Sequence, residues 1–166
     1  GGIFGNGYTN NLTNNEINAS TGSYIEVDFY YGGGIVGFIG ESNGNSMIQN
    51  NIVKNIEIRT STRGYVSGGA VYTGSFIGGI SGIAHYGIQF IGNTIENVVL
   101  THAVDPTHVL QENLENTVGY IAGITSNNSS KVVEVVFKDN VIIGSTRNLL
   151  PGADVALNQG LVGIER

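Results

Sequence analysis

Few residues in this sequence have side chains suited to chemistry, and they do not converge. The run His102-Ala103-Val104-Asp105-Pro106-Thr107-His108 sets two histidines around one aspartate. Two imidazoles and a carboxylate supply three ligands for a transition metal, so His102, Asp105 and His108 are the chain's candidate metal set. Their spacing matches no standard metal motif, and a polar loop with incidental histidines has the same composition. His85, beside Tyr86, reads as part of a solvated turn. The carboxylates are also dispersed: Asp28, Asp105, Asp139 and Asp154 lie far apart, and Glu41, Glu57, Glu96 and Glu134 are single. Glu57 and Glu96 fall near equivalent points of an internal repeat, where stacked carboxylates more often make a solvated face than an acid–base pair. The runs Gly32-Gly33-Gly34 and Gly78-Gly79 lead into no helical pattern, which removes a phosphate-loop reading. No catalytic residue and no cofactor is assigned.

Aromatic residues are numerous for a chain in which only 12% of residues are charged. Tyr31, Phe76 and Tyr120 precede equivalent repeat positions and read as one stacked column. Tyr65 and Tyr72 lie in a segment that interrupts the repeat. With His102 and His108 they are the candidates for contact with a partner, a host protein or a glycan. Asn11-Leu12-Thr13, Asn18-Ala19-Ser20, Asn127-Asn128-Ser129 and Asn128-Ser129-Ser130 match the N-glycosylation acceptor pattern, as chance predicts in a chain with about twenty asparagines.

Composition narrows the partners. Net charge is −6 and the seven Lys and Arg residues are scattered, which argues against nucleic acid. There is no cysteine, hence no disulfide and no cysteine-based zinc site. No apolar run approaches the ~18 residues of a membrane span. The apolar content of 40% is too high for a disordered chain.

The elements that must position these groups are short strands between turns. The 26 glycines and the asparagines tolerate φ > 0, whereas Ile and Val favour strands. Ser23 to Tyr30 alternates, with Ile25, Val27 and Phe29 on one face. Gly33-Gly34-Ile35-Val36-Gly37 returns as Gly78-Gly79-Ile80-Ser81-Gly82, and more loosely as Ala122-Gly123-Ile124-Thr125. Aligned on Gly2, Gly34, Gly79, Gly123 and Gly160, the copies are 32, 45, 44 and 37 residues apart (2 to 34, 34 to 79, 79 to 123, 123 to 160). The motif reads as one strand, with the aliphatic residue after the glycine facing in and the next facing out. The glycine is required for φ > 0 or for close approach of neighbouring coils. Asn51/Asn93 and Asn55/Asn97 are expected at corners, with side-chain amides stacking from coil to coil. Gln111 to Asn116 is the one stretch able to form a short helical turn.

A period of this length without amphipathic helices predicts an all-β, parallel β-solenoid of about four coils with long loop excursions. The units run over about 1–32, 33–77, 78–121 and 122–159, with a partial unit at 160–166. Together they form a single domain expected to belong to a longer chain.

The glycine–aliphatic–Val–glycine motif, the polar turn, and Asn51-Ile52-Val53 with its second short strand resemble the GLUG repeat of bacterial surface and secreted proteins. Gly33 to Ile58 and Gly78 to Leu100 carry the resemblance. Ala122 and the excursions 59–75 and 101–118 depart from it. The resemblance implies a right-handed solenoid, an extracellular or cell-surface location, and a non-catalytic spacer or adhesin role. Two alternatives stand beside it: a carbohydrate-active β-helix enzyme or carbohydrate-binding module, and the spacer region of a larger secreted protease.

Overall fold

The computed structural model describes residues 2–8, 11–27, 30–40, 46–60, 65–73, 75–85, 87–101, 109–110, 118–126, 134–148 and 161–165. Every regular element among them is a strand. The strands are short because turn residues recur at fixed places. Asn14, Asn50 and Asp139 hold φ of 57, 54 and 56°, and Gly92 fills the same register position at 61°. Asn55 and Asn97 do the same at the next corner, at 56 and 53°, with Gly144 aligned to them at 57°. Asparagine and glycine interchange there because both accept left-handed backbone.

Strands stack parallel and in register. Phe4–Tyr8, Val36–Gly40, Ser81–His85, Ala122–Ser126 and Val162–Glu165 form a five-stranded motif sheet. Three four-stranded sheets follow in each unit. One holds Leu12–Thr13, Met47–Gln49, Gln89–Ile91 and Val136–Lys138. The next holds Glu16–Asn18, Ile52–Lys54, Thr94–Glu96 and Val141–Ile143. The last holds Tyr24–Val27, Glu57–Thr60, Val99–Thr101 and Thr146–Asn148. A three-stranded sheet of Tyr30–Gly33, Ser75–Gly78 and Val118–Gly119 lies just before the motif. This is the solenoid-like stacking expected of the repeat.

Each sheet contributes one inward column: Leu12, Ile48, Phe90 and Phe137; Ile17, Val53, Ile95 and Ile142; Ile25, Ile58 and Leu100. Ile48, Val53, Ile58, Phe90, Ile95 and Leu100 are fully buried. The rings of Phe90 and Phe137 stack at 5.2 Å and 6°. Residues on either side of each inward position face out, as on Tyr24–Val27, where Tyr24 and Glu26 are exposed and Val27 is buried.

The glycine motif differs from its expectation. It is two strands in different sheets joined by a bend at Gly34-Ile35, and likewise at Gly79-Ile80. Alternation therefore does not run through it. Ile35 and Ile80 are buried, but so are Val36, Ser81, Thr125 and Val162, the residues expected to face out. The register also shifts the third copy. Ser81 pairs with Ala122, and Ile80 N–H donates to Ile121 O, so Tyr120 occupies the place of Gly79 and Gly123 the place of Gly82. Gly160 lies outside the described residues. Gly34 and Gly79 do not have positive φ; a Cβ on either would run into a backbone carbonyl oxygen of the next unit, Gly79 O or Tyr120 O respectively. Close approach is thus the reason for these glycines.

Candidate functional site

The two repeat-breaking segments meet. Tyr65–Ser67 and Ala70–Thr73 form an antiparallel hairpin turned by Gly68 and Gly69, with φ of 57 and 83°. Ala70–Thr73 then pairs parallel with Val109–Leu110 of the following excursion, Tyr72 against Val109. Tyr65 and Tyr72 are cross-strand partners in the hairpin, so the register unites these two candidates in one appended sheet. His102, Asp105 and His108 lie outside the described residues, as does the stretch 111–116. Among the described residues no group of three or more His, Asp or Glu could hold a metal ion.

The remaining candidates separate. Tyr31 stacks on Phe76 at 5.7 Å and 25°, and they are register partners. Tyr120 is not the third member of that column, because Phe76 falls one position before the Ile77–Val118 pair. Its hydroxyl instead donates to Ser145 O at 3.3 Å. His85 is the half-buried end of a motif strand, its ring 5.2 Å from Phe38, rather than a turn residue. Glu57 and Glu96 occupy different columns. Glu57 aligns with Tyr24 and Val99, and Glu96 with Lys54 and Ile143. No stacked carboxylate pair results.

Glu96 instead faces a cation, with Lys54 Nζ at 2.9 Å from its Oε2. The hydrogen bond and charge of Glu96 raise the Lys54 pKa above the ordinary 10.5. A raised folded value means that the contact stabilises the fold fully below about pH 10.4, and that this contribution is lost as pH climbs through the folded value. Lys54→Met is therefore expected to remove one component of the alkaline fall in urea midpoint. An identical alkaline limb in the variant would show that the pair contributes nothing.

Two further side-chain clusters were not evident in the linear sequence. Arg59 donates from Nε to Glu26 Oε2 at 2.9 Å and from Nη1 to Glu57 Oε2 at 3.3 Å. Its guanidinium lies 3.8 Å from the centre of the Tyr24 ring. The signal was available in the 33-residue offset that aligns Ile25 with Ile58, and so Glu26 with Arg59. Arg147 follows Ile25, Ile58 and Leu100 in an inward column. Its Nη1 donates to Val118 O at 3.0 Å, its guanidinium sits 5.0 Å from the Tyr120 ring, and its buried Nε has no hydrogen-bond partner among the described residues.

Chemically, these arrangements hold and position. Comparisons with protein-family models, with curated proteins and with solved structures each found no match.

Proposed function

We propose that this chain is a non-catalytic, right-handed β-solenoid of about four coils. It acts as the stalk of a bacterial surface or secreted protein and reaches a host protein or glycan through its excursions. The observation supporting this reading is the appended sheet. Segments that leave the stack from neighbouring units pair with each other at Tyr72–Val109 and Thr73–Leu110 instead of remaining separate loops. A stack of parallel ladders suits a spacer, because each unit contacts only its neighbours and length is added without changing the section. The test is a binding screen over immobilised matrix proteins and glycans, comparing the intact chain with a variant lacking residues 101–116. Binding that is lost with the deletion supports the reading. Binding that survives it, or no binding by either protein, removes the adhesive role of the excursions.

A further inference from the structure

One irregularity of the regular face opens a groove. From the third ladder strand of each unit to the fourth, the later units advance by three residues: Lys54 to Glu57, Glu96 to Val99 and Ile143 to Thr146. The first unit advances by six, Asn18 to Tyr24, and so carries three extra residues, Ser20, Thr21 and Gly22. They form a turn in which Ser23 N–H donates to Ser20 O at 3.0 Å and Gly22 takes φ of 87°. This turn walls a groove of about 280 Å³ at the corner, close to the lower bound of about 300 Å³ for ligand clefts. It is open to solvent, so it suits a short stretch of a longer ligand.

The lining defines the chemistry. Thr21 and Ser23 bring hydroxyls, Asn55 and Asn97 bring amides, Glu57 brings a carboxylate and Val99 a small apolar floor. The two amides are linked, Asn97 Nδ2 to Asn55 Oδ1 at 3.3 Å, and their backbones are fixed in the left-handed region. Tyr24 follows Ser23 directly, shares a column with Glu57 and Val99, and is 54% exposed. Arg59 lies two positions downstream of Glu57 and covers the Tyr24 ring, and is itself held by Glu26 and Glu57. The groove residues all lie upstream of Tyr24, Glu57 and Val99 or in their column. An aromatic ring held in place beside fixed amides and hydroxyls loses little freedom on binding. The charged group in the groove lining is the Glu57 carboxylate, which disfavours an anionic ligand. An exposed ring at the edge of the groove, with amides and hydroxyls in its lining, fits a chain of hydroxyl-rich rings.

We infer that this groove binds a neutral oligosaccharide, a sugar ring lying against Tyr24 while its hydroxyls pair with Asn55, Asn97 and Glu57. The site is independent of the surface-stalk reading and of the excursions.

The experiment is an amide chemical-shift titration of the intact chain with cellopentaose, xylopentaose, mannopentaose, chitopentaose and, as the acidic control, pentagalacturonic acid, each to about 10 mM. At least one neutral probe is expected to shift the amides of residues 21–24, 55–57 and 97–99, with Kd of about 1 mM. Tyr24→Ala is expected to weaken it about fivefold to tenfold and Tyr24→Phe to leave it within about twofold. Asn97→Gly, which suits the φ of 53° and keeps the fold, also weakens it. The variant lacking 101–116 binds as the intact chain does, which separates this site from the excursions. The inference is overturned if no neutral probe shifts these amides, if the acidic probe binds as well as the neutral ones, or if Tyr24→Ala and Asn97→Gly both leave the affinity unchanged.

Discussion

Gly82→Ala is expected to lower the free energy of unfolding by about 3 kcal/mol, the upper range for forcing extra volume into a packed interior. The mechanism is backbone contact. A Cβ at Gly82 would stand 2.5 Å from Gly32 N, 2.6 Å from Gly37 O and 2.8 Å from Tyr31 C. None of these atoms belongs to a flexible side chain, so relief requires moving one strand of the stack against another. Gly123, at the same register position, has the same kind of surroundings, with Ile77 N at 2.6 Å, Gly82 O at 2.7 Å and Phe76 C at 2.8 Å. Gly5 is the internal control. It aligns with Gly82 through the Phe4–Val36 and Val36–Ser81 pairs, yet nothing lies within 4 Å of its would-be Cβ. Gly5→Ala is therefore expected to be neutral or to stabilise by up to about 1 kcal/mol, by restricting the unfolded chain. Thermal melts of the two variants resolve the difference: at about 2–4 °C per kcal/mol for this chain length, Gly82→Ala melts about 6–12 °C lower. Equal melting of the two would mean that the motif strand does not press on Tyr30–Gly33.

That contrast also shows what could be read from the linear sequence. The repeat, the strand class and the parallel stacking follow from the period-2 run Tyr24–Val27, the aliphatic columns and the recurrent Asn and Gly turns. These signals are local and survive any register. The motif register was not legible, because Ala122-Gly123-Ile124 imitates Gly79-Ile80 better than Tyr120-Ile121 does. Only the pairing of Ser81 with Ala122 decides between them. The bend at Gly34-Ile35 was hidden for a related reason. Glycine and isoleucine fit a strand locally, and the need for a bend arises from the neighbouring unit whose carbonyl occupies the Cβ position. The Arg59 cluster and the groove depend on a three-residue insertion, Ser20 to Gly22, that is visible only once strands 33 and 36 residues apart have been aligned. Composition says nothing about such offsets.

The second large effect lies in the asparagine ladder. Asn93→Ala is expected to cost about 4 kcal/mol, since four side-chain hydrogen bonds disappear at about 1 kcal/mol each. Asn93 Oδ1 accepts from both the backbone N–H and the amide of Asn51, each at 3.0 Å. Its amide donates to Ile48 O and to Asn140 Oδ1, each at 2.9 Å. Asn51 and Asn93 are both fully buried, so the abandoned donors and the Ile48 carbonyl have no water to turn to. Asn15 and Asn140 extend the same pattern at 2.9–3.0 Å, so one amide satisfies groups on the units above and below it. The outer ladder is the comparison. Asn97 is exposed, makes one longer bond to Asn55 at 3.3 Å, and holds φ of 53°. Asn97→Gly is expected to change stability by less than about 0.5 kcal/mol, because Gly144 already occupies that register position. Urea denaturation of the two variants would separate buried amide satisfaction from left-handed turn preference. If Asn97→Gly proved as damaging as Asn93→Ala, the outer corner would owe its asparagine to the side-chain amide and not to backbone conformation. The expected ordering assigns the opposite weights: φ selects Asn or Gly at the outer corner, whereas at the inner position only a side chain with one acceptor and two donors closes every bond.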